Sequence, residues 1–269
     1  MALTGVATHD LGGAGPHLVL VHAAGLHGLV LAPMARGLCE RFHCVSLDQR
    51  GHGDTALPPG REIDWYGLAA DVLAVVDDLA LPRPHGFGHS SGGTAVLLAE
   101  QARPGTFAAL YCYEPILVAA DPPLGRDDDN WLAAAARRRR TTFASRPEAL
   151  RHFAATPPFD AFDPEVLRAY VDHGLEEDGE GGVRLKCRPQ DEAAVYETAT
   201  AHDAYGRLDQ VTCPVVVACG SESEVCTPEQ AGAHAARLPR GQVEVLDGLG
   251  HLGPLERPHQ VASSVMELM

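Results

Sequence analysis

The sequence predicts an α/β protein, a doubly wound and mostly parallel sheet interrupted by a helical insertion. Three observations carry that reading. Short, nearly continuous apolar runs recur at HLVLVH (17–22), CVSLD (44–48), ALYCYE (109–114), PVVVACG (214–220) and VEVL (243–246). A strand covered on both faces needs apolar residues on both, so continuity rather than alternation marks a parallel sheet between helix layers. Helix-like patterns separate several of these runs, and the β-α-β-α order favours parallel strands joined by crossovers. The third observation is a break. From about residue 115 to about residue 206 no comparable strand appears, and roughly 90 residues is too long for an ordinary crossover.

Each element has its own signal. Asp64 is placed to cap a helix whose apolar face is Leu68, Val72, Val75, Val76 and Leu79, with Pro82 and Pro84 stopping it. Before GFGHSSGG (86–93) only a short segment around Phe87 qualifies as strand. Residues 94–101 are apolar almost all round, which suits a helix buried against the sheet. Acidic turns at 127–129 and 176–180 separate helix-like segments around 130–155 and 164–175. The expected division is a core of 1–116 and 207–269, with 117–206 inserted as a helical cap.

The bulk numbers limit the function. At 269 residues and 45% hydrophobic composition, the chain can bury one large core. A formal net charge of −15 argues against nucleic acid or an anionic membrane surface as partner. The arginine run 137–140 is the local exception, read as a solvated helix face paired with the acids 127–129. Seven cysteines, odd in number and without a C-x-x-C pair, suit a reducing compartment. The first residues, MALTGVATHDLGGAG, have neither a basic nor an apolar targeting segment, so a cytoplasmic protein acting on a small molecule is expected. Oligomeric state is not legible.

The chemistry starts at GFGHSSGG. Gly88 and Gly92 bracket Ser90 in a G-x-S-x-G pattern, and a turn that swings from strand to helix needs such gaps in side chains. A serine hydroxyl attacks only when a base takes its proton. Past the strand VEVL, Gly248-Leu249-Gly250-His251 offers a histidine, and past PVVVACG the stretch Ser221-Glu222-Ser223-Glu224 offers carboxylates. The order Ser90, Glu224, His251 is nucleophile, acid, histidine.

With His22-Ala23-Ala24-Gly25 after the first buried strand and Asp48-Gln49-Arg50-Gly51-His52-Gly53 after the next, four motifs stand in one order. The chain thereby resembles the α/β-hydrolase fold superfamily, in its capped branch with a serine nucleophile. That resemblance implies Ser90 as nucleophile and His251 as base. It places the acid after PVVVACG, usually as aspartate; here only Glu222 and Glu224 are available, and Glu224 has the better offset to Pro228. Glu114 is the alternative, since some members carry the acid after the strand ending there. The implied oxyanion hole is the backbone N–H of Ser91 and Ala24, with Ala23 standing where glycine is usual. Asp48, Arg50, Gly51 and Gly53 read as structural.

The implied activity is a cofactor-independent serine hydrolase that cleaves a carboxylic ester, lactone or thioester of a small apolar substrate through an acyl-enzyme on Ser90. A carbon–carbon bond hydrolase or a cofactor-free perhydrolase uses the same triad, and a non-catalytic ligand-binding member remains open. Cap aromatics, Trp131, Phe143 and Phe159 among them, are expected to wall the pocket. No metal site is expected, because His85 and His89 flank glycines in a turn rather than sharing a helix face.

Overall fold

A computed structural model describes residues 5–58, 60–119 and 123–269. The strands are β1 (Thr8–Gly12), β2 (His17–Val21), β3 (His43–Leu47), β4 (His85–His89) and β5 (Leu110–Tyr113), then β6 (Thr142–Phe143), β7 (Leu175–Glu177), β8 (Val183–Leu185), β9 (Val215–Gly220) and β10 (Gly241–Leu246). The helices are α1 (Ala32–Leu38), α2 (Trp65–Asp78), α3 (Ser91–Ala102), α4 (Trp131–Arg137), α5 (Arg146–Phe153), α6 (Pro164–Gly174), α7 (Pro189–Glu197), α8 (Pro228–Arg237), α9 (Gly253–Glu256) and α10 (Pro258–Leu268).

One seven-stranded sheet runs β1-β3-β2-β4-β5-β9-β10. Its pairs are parallel from β3 to β10, and only the edge strand β1 is antiparallel. Strand alternation sends neighbouring residues to opposite faces. Val19, Val21, Cys112, Val215 and Val217 join one core with the α2 and α3 side chains Leu68, Val72 and Val96. Leu18, Leu20, Tyr111, Val216 and Ala218 join the other with Met34, Leu38 and Val261 from α1 and α10. Both faces are therefore covered.

The Asp64 side chain accepts from the Gly67 amide and starts α2. Leu68, Val72, Val75 and Val76 are buried as expected, but Leu79 is the capping residue beyond the last turn and is exposed. The helix stops there, before Pro82, and Ala80 takes a positive φ. Every residue of α3 from Ser91 to Gln101 is buried. Strand β4, HGFGH, has a weak pattern of its own. It forms because β2 and β5 flank it and supply its ladder on both sides.

Between β5 and β9 the chain leaves the main sheet. It forms α4 to α7 and, against expectation, a second sheet of three antiparallel strands ordered β6-β8-β7. These strands are only two or three residues long, too short to carry a readable period. The arginine run is also corrected here. Only Arg137 lies on α4, where it pairs with Glu197, while Arg139 pairs with Glu192 and Arg140 with Glu148. The partners come from α5 and α7, since tertiary packing brings those helices closer than the neighbouring acids 127–129. Among the described residues, no helix is long and apolar enough to cross a membrane.

Candidate active site

The site sits where β4 turns into α3. Ser90, at the turn, has φ 55° and ψ −117°, a left-handed conformation that costs a non-glycine residue on the order of 1–3 kcal/mol. Surrounding hydrogen bonds hold it there. The Ser90 amide donates to the Tyr113 carbonyl at 2.9 Å, and the Ser90 carbonyl accepts from the Thr94 amide at 3.1 Å. A side chain on Gly88 would run into the Gly92 backbone, and one on Gly92 into the Val21 and His22 carbonyls. Gly88 thus lets the start of α3 close on β4, and Gly92 lets it close on the end of β2.

His251 stands across from the serine, with its Nε2 3.1 Å from Ser90 Oγ. Its loop is tied down by Tyr113, whose hydroxyl donates to the Gly250 carbonyl at 2.8 Å, and by the His89 ring, 2.8 Å from the His251 carbonyl. Behind His251, Nδ1 donates to Glu114 Oε2 at 2.7 Å. That fixes the tautomer: Nδ1 carries the proton and Nε2 is left to accept from Ser90.

The carboxylate against His251 is therefore that of Glu114, not Glu224. Glu114 follows β5, is fully buried and has φ 46°. Its Oε1 accepts from the Gly220 amide at 2.9 Å, and its Oε2 from Ser223 Oγ at 2.7 Å as well as from His251. An ionised carboxylate is acceptor-only, and all three partners are donors. Glu224 and Glu222 are exposed on the loop after β9. That loop instead turns Ser223 inward, and its short hydroxyl reaches only as far as the Glu114 carboxylate. Ser223 was invisible as a site residue. Its one signal was that the loop after β9 carries no aspartate.

The two amides expected to hold an oxyanion lie in adjoining segments, Ser91 as the first residue of α3 and Ala24 in the loop after β2. Two buried histidines brace that loop. His22 donates from Nδ1 to the Ala23 carbonyl at 2.7 Å and accepts the Gln49 amide on Nε2 at 3.0 Å. His52 donates from Nδ1 to the Arg50 carbonyl at 3.0 Å and accepts the Gly25 amide on Nε2 at 3.0 Å. The Gln49 side-chain amide donates to the His22 carbonyl and lies 3.4 Å from Ser91 Oγ, joining loop to turn. Asp48 accepts from the Gly28 and Asp54 amides at 2.7 and 2.8 Å, and Arg50 pairs with Asp71.

Burial pushes His22 and His89 down to about 3, and His27 and His202 down to about 4. In the unfolded chain each titrates near 6.5, so below that pH the unfolded state binds more protons and the fold loses stability as pH falls. The loss begins below about pH 6.5 and continues toward about 4 for His27 and His202 and toward about 3 for His22 and His89, at about 1.4 kcal/mol per pH unit for each proton taken up. Urea unfolding between pH 7.5 and 5 is expected to show two or more protons taken up. A flat stability profile over that range contradicts it.

The aromatic residues expected around the pocket divide. Trp131 is 73% exposed at the start of α4, pointing away from the interior. Phe143 is buried inside the inserted segment against Phe153 and His152. Both are corrected: a helix N-terminus and a two-residue strand put them on the outer surface and in the segment's own core. Phe159 is half-buried, packs on Tyr170 and lies beneath the Arg139 guanidinium, 5.4 Å from ring centre to Cζ. Among the described residues, no group of three histidine, cysteine or acidic side chains is placed to hold a metal ion.

The model of the alpha/beta hydrolase family matches residues 18–264. A pimeloyl-[acyl-carrier protein] methyl ester esterase of Methylococcus capsulatus is 34% identical over 113 residues, 41% of this chain and 42% of its own length. The chain thus spans less than half of that relative. A non-heme chloroperoxidase of Streptomyces lividans is 28% identical over 80% of this chain and 76% of its own. Among solved structures, a peroxisomal alpha-beta-hydrolase of Saccharomyces cerevisiae superposes with a TM-score of 0.82 at 21% identity, covering 97% of this chain and 79% of that one. With the sheet order, the turn at Ser90 and a match over nearly the whole length in agreement, the chain belongs to the alpha/beta hydrolase family.

Proposed function

We propose that the protein is a serine hydrolase that cleaves an ester-like bond of a small substrate, with Ser90 as nucleophile, His251 as base and Glu114 as the acid. The observation that carries this reading is the unbroken hydrogen-bond path Ser90–His251–Glu114, ending on a carboxylate held by two further donors. As Ser90 Oγ attacks the carbonyl carbon, its proton passes to His251 Nε2, and Glu114 stabilises the imidazolium. Charge developing on the carbonyl oxygen meets the Ala24 and Ser91 amides, the latter at the positive end of α3. His251 then gives its proton to the leaving group. Water, deprotonated by His251, cleaves the acyl-enzyme and restores Ser90.

The segment between β5 and β9 serves as a cap over this site: its Glu192 side chain reaches Gly25 in the loop after β2, and its Tyr170 ring stacks on His27. A relative named as a methyl ester esterase supports the ester as substrate class. The relative named as a non-heme chloroperoxidase favours one second reading, in which hydrogen peroxide replaces water and the acyl group leaves as a peracid.

Rapid mixing with a p-nitrophenyl ester tests the covalent step. The expected result is a burst of nitrophenol and an acyl adduct on the peptide containing Ser90. Steady turnover with neither burst nor adduct at low pH quench, together with no labelling by a fluorophosphonate, removes the reading. Adding hydrogen peroxide and assaying peracid separates the two acceptors.

A further inference from the structure

Four cap residues form a compact polar group above the oxyanion loop. Arg139 binds Glu192 through Nη1 and the Tyr170 hydroxyl through Nη2, and the Tyr196 hydroxyl donates to Glu192 Oε1 at 3.2 Å. The side chains of Arg139 and Glu192 are 17% and 9% exposed. Their position is fixed by Gly25, the residue after Ala24, which has φ 75°. A methyl group there would lie 2.5 Å from Glu192 Oε1 and 3.3 Å from Arg139 Nη1. The pair therefore rests directly on the oxyanion loop, next to Ala24, which stays partly exposed while its neighbours from 21 to 28 are buried.

A lone buried arginine in that place would select substrates carrying a carboxylate, because it offers a planar fork of donors. Here Glu192 already occupies the fork, and Tyr196 holds the carboxylate from the other side. Glu192 Oε1 lies nearer the loop than Arg139 Nη1, so an anionic acyl group beside the loop would face the Glu192 carboxylate, in a desolvated space where two like charges cannot sit together without one losing its charge. Turning the acid away costs the enzyme nothing with an uncharged chain, which sees a group of no net charge. Discrimination by a built-in repulsion is as effective as an added attraction.

We propose that the Glu192–Arg139 pair is a charge filter: the site takes esters with an uncharged acyl part, and Glu192 is the residue that keeps carboxylate-bearing acyl groups out. This rests on the serine hydrolase reading and names its substrate class. Glu192 touches the loop rather than the reacting atoms, so it determines specificity and is not a catalytic residue.

The experiment compares two chain-matched substrates, the methyl ester of a fatty acid and the half-methyl ester of the corresponding dicarboxylic acid. The wild-type protein is expected to favour the neutral ester in kcat/KM by about 100-fold, as repulsion in a desolvated site predicts. Glu192→Gln should narrow that ratio by about tenfold or more by freeing Arg139. Glu192→Gln combined with Arg139→Gln should lose the gain. The filter is overturned if the wild type cleaves the two esters at rates within a few-fold of each other, a result that needs no variant to fold. It is also overturned if Glu192→Gln, still labelled on Ser90 by a fluorophosphonate, leaves the ratio unchanged. A wild type that the fluorophosphonate does not label overturns the hydrolase reading and the filter with it.

Discussion

Replacing Ser90 by alanine is expected to abolish turnover and fluorophosphonate labelling, while Ser91→Ala keeps both within a few-fold. The two hydroxyls are neighbours in sequence but differ in surroundings. Ser90 Oγ faces His251 Nε2 at 3.1 Å, whereas Ser91 Oγ has its hydrogen-bond partner, among the described residues, in the Gln49 side chain at 3.4 Å. The contribution of Ser91 to the mechanism is its backbone N–H, which alanine retains. Loss of a serine nucleophile costs about 10⁶-fold in kcat in a well-studied protease, leaving only what the oxyanion hole and binding provide. Steady-state assays with a p-nitrophenyl ester decide the matter. Equal losses in both variants would remove Ser90 from its role.

The second large effect is expected at Glu114. Glu114→Gln should lower kcat by about 10⁴-fold, the cost of the corresponding amide in a serine protease. Glutamine keeps the length but turns one acceptor into a donor, and three donors already converge there from Gly220, Ser223 and His251. One of them must lose its partner, and the imidazolium loses its counter-charge. Stability should fall as well, by about 1–3 kcal/mol for the buried group left unsatisfied. Glu224→Gln is the comparison, because Glu224 is exposed and no hydrogen bond joins it to His251. Its kcat should stay within a few-fold of wild type. The opposite pattern, with Glu224→Gln inactive and Glu114→Gln active, would return the acid to the loop after β9.

The sequence carried much of the fold because burial leaves a one-dimensional trace. Residues 17–21, 43–47, 110–113 and 215–220 are strands within the apolar runs or one residue from their edges. They read clearly because both faces of the parallel sheet are covered. The Asp64 cap and the α2 stripe through Val76 are equally local. What failed had no such trace. Strand β1 is an antiparallel edge with mixed exposure, β4 borrows its ladder from its neighbours, and the strands of the small sheet are shorter than any period.

For the site, Ser90 and His251 were legible because the backbone needs glycines around one and a loop past a strand end for the other. Glu114 was legible only as an alternative. Sequence alone determined that this chain builds a parallel α/β core with a serine at a sharp turn and a histidine after the last strand. Only the tertiary structure decided which carboxylate meets that histidine. Strands β5 and β9 are neighbours, and the ends of both lie beside the His251 loop. Either could have delivered an acid, and nothing in the order of residues ranks them. The choice is made by reach in three dimensions: the positive-φ turn at Glu114 sends its side chain inward, while the loop after β9 points Ser223 in and Glu224 out to water.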